Sequence, residues 1–150
     1  MPSLDKLTNL AELERLLQQQ SQGESRNIDS VQMAAALKDR VKGQEHVIDD
    51  LVRLLKLEWG KEKRKRPIAN LLFLGPTGTG KTELAKAVAE YLYGDEKAML
   101  RFDCSEFTGG EAKTRLIGTP LGYVGSGQGG QLTRPVINNP KRLVLFDEIE

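Results

Sequence analysis

Residues 75–82 read Gly75-Pro76-Thr77-Gly78-Thr79-Gly80-Lys81-Thr82, and the stretches on either side give that octet its meaning. Ahead of it, Ile68-Ala69-Asn70-Leu71-Leu72-Phe73-Leu74 is an apolar run with the length of a buried strand. Behind it, Glu83 to Tyr93 sets Leu84, Ala87, Val88, Tyr91 and Leu92 on one helical stripe. Glycine at 75, 78 and 80 lets the backbone curl until its N–H groups face inward, and the helix N-terminus adds partial positive charge. The strand–loop–helix setting is what a phosphate-binding loop requires, and a glycine-rich turn that merely contains Lys-Thr does not supply it. The loop residues Pro76, Thr77, Gly78, Thr79, Gly80, Lys81 and Thr82, with Glu83 in the first helical turn, are therefore expected to line the phosphates of a nucleoside triphosphate. Lys81 has the reach for the β- and γ-phosphates, and the Thr82 hydroxyl is suited to ligate Mg²⁺.

A second run, Arg142-Leu143-Val144-Leu145-Phe146, reads as another buried strand and ends on two carboxylates, Asp147 and Glu148. An acid at such a strand tip holds the magnesium, usually through water, which assigns Asp147 to the metal. Glu148, one residue on, is placed to polarise a water attacking the γ-phosphate, so the Asp-Glu order favours hydrolysis over nucleotide storage. From residue 67 onward the order of elements reads β-α-β-α-β. With right-handed crossovers this is an α/β fold, a parallel sheet flanked by helices with the nucleotide at the carboxyl ends of the strands.

Between the two halves, Gly118 to Gly130 holds six glycines in thirteen positions and cannot pack a core. Tyr123-Val124 sits inside it, bracketed by Gly122 and Gly125. On these residues alone, Tyr123 serves equally well as an aromatic pressed against a passing chain or as an anchor folded back onto its own domain.

Several further segments fall in register with one family. Val41-Lys42-Gly43-Gln44-Glu45, Arg66-Pro67-Ile68-Ala69, the run from Phe73 to Lys86, Asp103-Cys104-Ser105-Glu106, Leu116-Ile117-Gly118, Gly122-Tyr123-Val124-Gly125, Gly129-Gly130-Gln131-Leu132-Thr133 and Leu145 to Glu150 together resemble the Clp family of AAA+ unfoldases and disaggregases. The match spans roughly residues 36 to 150 and is closest to the second ring module of two-ring members. The resemblance implies a P-loop NTPase fold and a cytoplasmic ATPase that uses ATP and Mg²⁺. It also implies a homo-oligomer, usually a hexameric ring, that threads polypeptide substrates through a central pore, with a protease or adaptor as a further partner. Tyr123 and Val124 fall on the family's pore loop, and Val41 and Ile48 fall near its adenine pocket. Residues 31–150 then form part of an AAA+ large subdomain, preceded by N-terminal helices, with residues 1–30 an amphipathic helix and linker.

The chain also departs from the pattern. Cys104 stands where the family has Met, Leu121 replaces one of two prolines before the pore tyrosine, and Pro135 sits where the family runs a helix. A proline past the first turn would kink or shorten that helix. The sequence given stops at Glu150, and nothing in it matches the family's sensor strand, arginine finger or helical lid. The sensor strand belongs between the strands at 71–74 and 143–146, so these 150 residues alone are expected to expose strand edges, bind nucleotide weakly and turn over negligibly.

The net charge of +1 and 39% hydrophobic residues describe ordinary soluble composition. The one cysteine excludes an internal disulfide and is expected at a buried strand end, and the one histidine, His46, makes a zinc site improbable and is expected on a polar helix face. No run of eighteen apolar residues suggests a membrane span, and the first residues lack a signal-peptide layout. Thr8 to Gln20 spaces Leu10, Leu13, Leu16 and Leu17 as an amphipathic helix that packs on its own domain or on a partner. A helix is expected from a cap at Asp29 or Ser30 to about Val41, and another from Gln44 to Gly60, with Val47, Ile48, Leu51, Leu54, Leu55 and Trp59 on its apolar face. Lys61 to Arg66 carries five basic residues in six and reads as a solvated tether, since no aromatics interleave it as in a nucleic-acid site. The alternatives to an unfoldase are a nucleotide-driven loader or motor on nucleic acid and a non-hydrolysing interaction fragment.

Overall fold

Asp29 starts the first helix as the sequence offers. In a computed structural model that describes residues 27–61, 66–120, 122–124, 127 and 129–149, its Oδ1 accepts from the Val31 and Gln32 amides at 3.0 and 3.1 Å. The expected helix at 8–20, the linker up to residue 26, positions 62–65 of the basic run, Leu121 and Glu150 lie outside the described residues. Helix α1 runs Ser30–Arg40, and Val41 follows it in extended backbone. Helix α2 runs Glu45–Trp59 and buries Ile48, Leu51, Val52 and Leu55, whereas Leu54, expected on that face, is exposed. His46 is exposed in the first turn of α2.

Helix α3, Lys81–Tyr93, is the phosphate-loop helix, and it ends where Gly94 adopts left-handed backbone and donates to the Glu90 carbonyl at 2.8 Å. Its buried stripe of Leu84, Ala87, Val88 and Leu92 meets Met33 and Leu37 of α1, Val41, and the buried face of α2 in one apolar core. Trp59 and Tyr93 close one end of that core, ring centroids 6.2 Å apart. Arg40, at the end of α1, pairs with Glu83 at 2.6 Å and also with Glu90 and Glu96, so one guanidinium ties α1 to both ends of α3.

The sheet is parallel. Strand β1, Met99–Asp103, pairs with β2, Leu143–Asp147, in a register that sets Met99 beside Leu143 and Asp103 beside Asp147. Between them come a 3-10 turn at Cys104–Phe107, helix α4 at Ala112–Ile117, the glycine-rich loop, and helix α5 at Thr133–Asn138. Cys104 is half-buried at the start of the 3-10 turn and not in the strand. Pro135 lies within the first turn of the six-residue α5, where its missing N–H forfeits no intrahelical bond.

Two expectations need correction. The run 68–74 forms no strand, and Leu72 and Leu74 are 72% and 84% exposed while Ala69 and Phe73 pack on the core. Leu71 is exposed as well, so the in–out alternation of a strand is absent; a strand is made by a ladder, and β1 and β2 pair only with each other among the described residues. The run does not pair with β2 among the described residues. β2 itself is half-buried rather than buried, with Phe146 exposed and stacked on Phe102 at 5.7 Å.

The Asp29 cap satisfies two orphan amides, so Asp29→Ala is expected to lower stability by about 1 kcal/mol, read as a shifted urea midpoint at unchanged slope. The Asp103 carboxyl is held below its ordinary value, first by the Ser105 hydroxyl and then by the Ser105 amide. A depressed folded value stabilises above the ordinary aspartate range and is lost as pH falls through the folded value. Asp103→Asn should flatten the acid limb of the stability curve below about pH 4, with little change near neutrality.

Candidate functional site

The loop ahead of α3 takes its shape from two glycines. Gly78 and Gly80 have φ of 82° and 89°, in the left-handed region that β-carbons disfavour, and Gly80 is the residue from which α3 starts. A Cβ on Gly80 would also stand 3.1 Å from Val41 Cγ1. Gly75 is outside that region, and its added Cβ would meet only Thr79 Oγ1 at an ordinary 3.5 Å. The Thr79 hydroxyl donates to the Pro76 carbonyl at 2.9 Å and braces the loop. The Lys81 ammonium turns back into the loop and donates to the Gly75 and Pro76 carbonyls at 2.8 and 2.7 Å. The first-turn amides of Lys81, Thr82 and Glu83 have no acceptor within the helix and add to the positive end of its dipole.

The two halves of the site converge. Thr82 Oγ1 lies 3.5 Å from Asp147 Oδ2, bringing the start of α3 to the tip of β2 across 65 residues of sequence. The sequence reading missed a third member. Arg101 Nη2 stands 2.7 Å from the same Asp147 oxygen. In the β1–β2 register Arg101 is two residues before Asp103, the partner of Asp147, so both side chains share a face. Only the strand pairing reveals this, since Arg101 alone looks like any cation in a short strand.

Glu148 carries the strained backbone of the site. Its φ of 53° is the only positive value on a non-glycine residue among those described. Such backbone costs an L-residue about 1–2 kcal/mol, and strain of this kind gathers at functional positions. Its amide donates to Asp147 Oδ1 at 3.2 Å, and its side chain is exposed.

The remaining candidates divide. The Glu83 carboxylate is engaged by Arg40 at 2.6 Å and stands 3.8 Å from Lys86, so it serves the helix contact and leaves only its amide for an anion. Val41 is buried beside Gly80, and Ile48 is completely buried, contributing packing and no surface for a base. Pro76 and Thr77 are exposed on the loop. Tyr123 is 70% exposed and Val124 fully so, which does not match an anchor folded back onto the domain.

The donors present suit magnesium. A hydroxyl and a carboxylate are hard oxygen ligands, and Mg²⁺ usually takes one or two protein ligands with waters and phosphates completing its shell. Among the described residues no group of three or more His, Cys, Asp or Glu forms a cage of the kind other metals prefer. No described helix is long and apolar enough to cross a membrane.

A strand-paired carboxylate facing the threonine of a glycine-shaped phosphate loop defines a P-loop NTPase. Residues 66–150 match the family described as AAA domain (Cdc48 subfamily), and the chain belongs to it, within the Clp-type AAA+ proteins. It is 49% identical over 115 residues, 76% of its length, to the ATP-dependent Clp protease ATP-binding subunit ClpC of Staphylococcus aureus strain USA300. It is 47% identical over 119 residues, 79% of its length, to the chaperone protein ClpB of Oceanobacillus iheyensis. The chain spans only 14% and 15% of those relatives. Among solved structures it resembles the S. cerevisiae Hsp104:casein complex in its extended conformation, with a TM-score of 0.72 and 41% identity over 84% of this chain and 22% of that one.

Because Gly80 combines left-handed backbone with a close side-chain neighbour, Gly80→Ala should destabilise by about 1–2 kcal/mol and weaken triphosphate binding more than tenfold, measured by thermal melts and by titration with a fluorescent nucleotide. Gly75→Ala, which meets neither obstacle, should retain most of the affinity.

Proposed function

We propose that this chain is the ATP-binding and ATP-hydrolysing module of a Clp-type protein unfoldase, acting in a ring that draws polypeptide through its pore. The observation that carries the reading is the approach of Thr82 to Asp147 beside a loop whose lysine is already turned inward. Lys81 gives up its bonds to the two loop carbonyls and takes phosphate oxygens in their place. Thr82 and Asp147 would hold Mg²⁺, and the ion would supply charge neutralisation to the phosphates. Arg101, which pairs with Asp147 in this structure, would remain on the same sheet face as a neighbouring positive charge. Glu148, exposed and turned by its left-handed backbone, accepts the proton of the attacking water. Val41 borders the loop at Gly80 and is the better placed of the two adenine-pocket candidates.

Tyr123 and Val124 are assigned to grip the substrate, supported by their exposure and by casein in the complex of the 41%-identical Hsp104. A hexameric assembly, a cytoplasmic location and a protease or adaptor partner follow from the same kinship and belong to the whole protein. For these 150 residues alone we hold to weak nucleotide binding without turnover, since the run feeding the phosphate loop has no ladder partner among the described residues.

Lys81→Ala is expected to reduce ATP affinity by at least about tenfold, the loss of one charge-assisted contact. Glu148→Gln should bind ATP normally and fall by about 10²-fold or more in turnover, and parental turnover in that variant would overturn the base assignment. In the full-length protein, Tyr123→Ala should fail to unfold a tagged substrate while still hydrolysing ATP. If unfolding persists, the threading reading fails.

A further inference from the structure

The glycine-rich segment looks free in sequence, yet its two ends are bolted together. The Thr133 hydroxyl accepts from the Gly130 amide at 2.7 Å and donates to the Ile117 carbonyl at 3.0 Å, so a single oxygen spans the neck of the loop. Two backbone bonds run beside it, from the Gln131 amide to the Arg115 carbonyl at 2.8 Å and from the Leu132 amide to the Leu116 carbonyl at 3.0 Å. The strands of the neck approach so closely that a side chain fits on neither. A Cβ on Gly130 would overlap the Leu116 carbonyl and come within 2.5 Å of the Gly118 nitrogen, and Gly130 is the one buried residue of the loop among those described. Gly118 has φ 100° and ψ 171°, a region that essentially only glycine enters. The C-terminal side of the neck is fixed to α4, and α4 is held in turn by Arg115, which donates to the Glu106 carbonyl at 3.1 Å and stacks over Phe107 at 4.9 Å.

We infer that Thr133, with Gly118 and Gly130, is a positioning clamp that closes the neck of the loop bearing Tyr123 and transmits movement of α4 and α5 to that aromatic. The inference rests on the reading of Tyr123 as a substrate-gripping residue. Without the clamp, a loop of this glycine content distributes any push among its own backbone torsions. With it, the loop is a short hoop on a rigid base, and displacement of the base carries Tyr123 along. The Thr133 hydroxyl bonds Gly130 and Ile117 and not the phosphate loop, so it acts through the geometry it holds.

The test compares Thr133→Val, which keeps the shape and removes the hydroxyl, with Thr133→Ser, which keeps the hydroxyl. Hydrogen exchange on the 150-residue chain should show the Gly130, Gln131 and Leu132 amides losing protection about tenfold in the valine variant, the effect of one hydrogen bond near 1.4 kcal/mol. The serine variant should restore it. Unaltered exchange in Thr133→Val, or a serine variant as open as the valine one, overturns the clamp. In the full-length protein, Thr133→Val should lower the maximal rate of unfolding of a tagged substrate several-fold at unchanged KM for ATP, with Thr133→Ser near the parent. Gly130→Ala should reproduce the valine result by steric means. If Tyr123→Ala abolishes unfolding while Thr133→Val leaves it intact, the positioning role is wrong and the threading reading stands. If Tyr123→Ala is itself silent, the threading reading is wrong and the role of the clamp falls with it.

Discussion

Helix α3 has to bury one face and leave its first turn open, and the rest of the molecule is arranged around that demand. Its stripe of Leu84, Ala87, Val88 and Leu92 is covered by α1, α2 and Val41, which fixes its axis. Its N-terminus is then held at the carboxyl end of β2, where Thr82 finds Asp147. Burial of four side chains of this size is worth several kcal/mol at about 25 cal/mol per Å², whereas the Thr82–Asp147 approach is a marginal hydrogen bond by its length. Packing therefore positions the site, and the polar contacts register it.

Arg40 acts on the same helix from the end of α1. Three carboxylates surround one guanidinium, and two of them raise its affinity for the proton, Glu96 first and Glu83 next. Exposed pairs of this sort contribute little to stability singly. Their value lies in direction, since Glu83 and Glu90 sit on α3 one and three turns from the loop, and Arg40 holds both from α1. The Glu83 carboxylate, next in sequence to Thr82, is thereby drawn toward α1.

The phosphate loop, the acid pair and the three principal helices were legible because each is written locally. Asp29 caps, Gly94 stops, and the glycines at 78 and 80 are demanded by their own φ values. The strand at 68–74 was misjudged for a non-local reason. Its composition is that of a strand, but a strand exists through its neighbours, and those lie beyond what composition encodes. Ile48, placed near a ligand by the family resemblance, and Glu83, placed there by the loop, have side chains taken up by packing and by Arg40, which no local reading of the sequence shows. Arg101 and Thr133 went unseen because their roles depend on register and on loop closure, which no window of sequence contains.

The bonds from Lys81 to the Gly75 and Pro76 carbonyls have a consequence for how a ligand arrives. The cation is already inside the ring of backbone that a polyphosphate would fill, acting as a place-holder for the anion's counter-charge. Association of a polyphosphate there would be an exchange of partners at one ammonium. Such exchange sheds little conformational entropy. It would also ease departure, because the carbonyls stand ready to take the lysine back when an anion leaves.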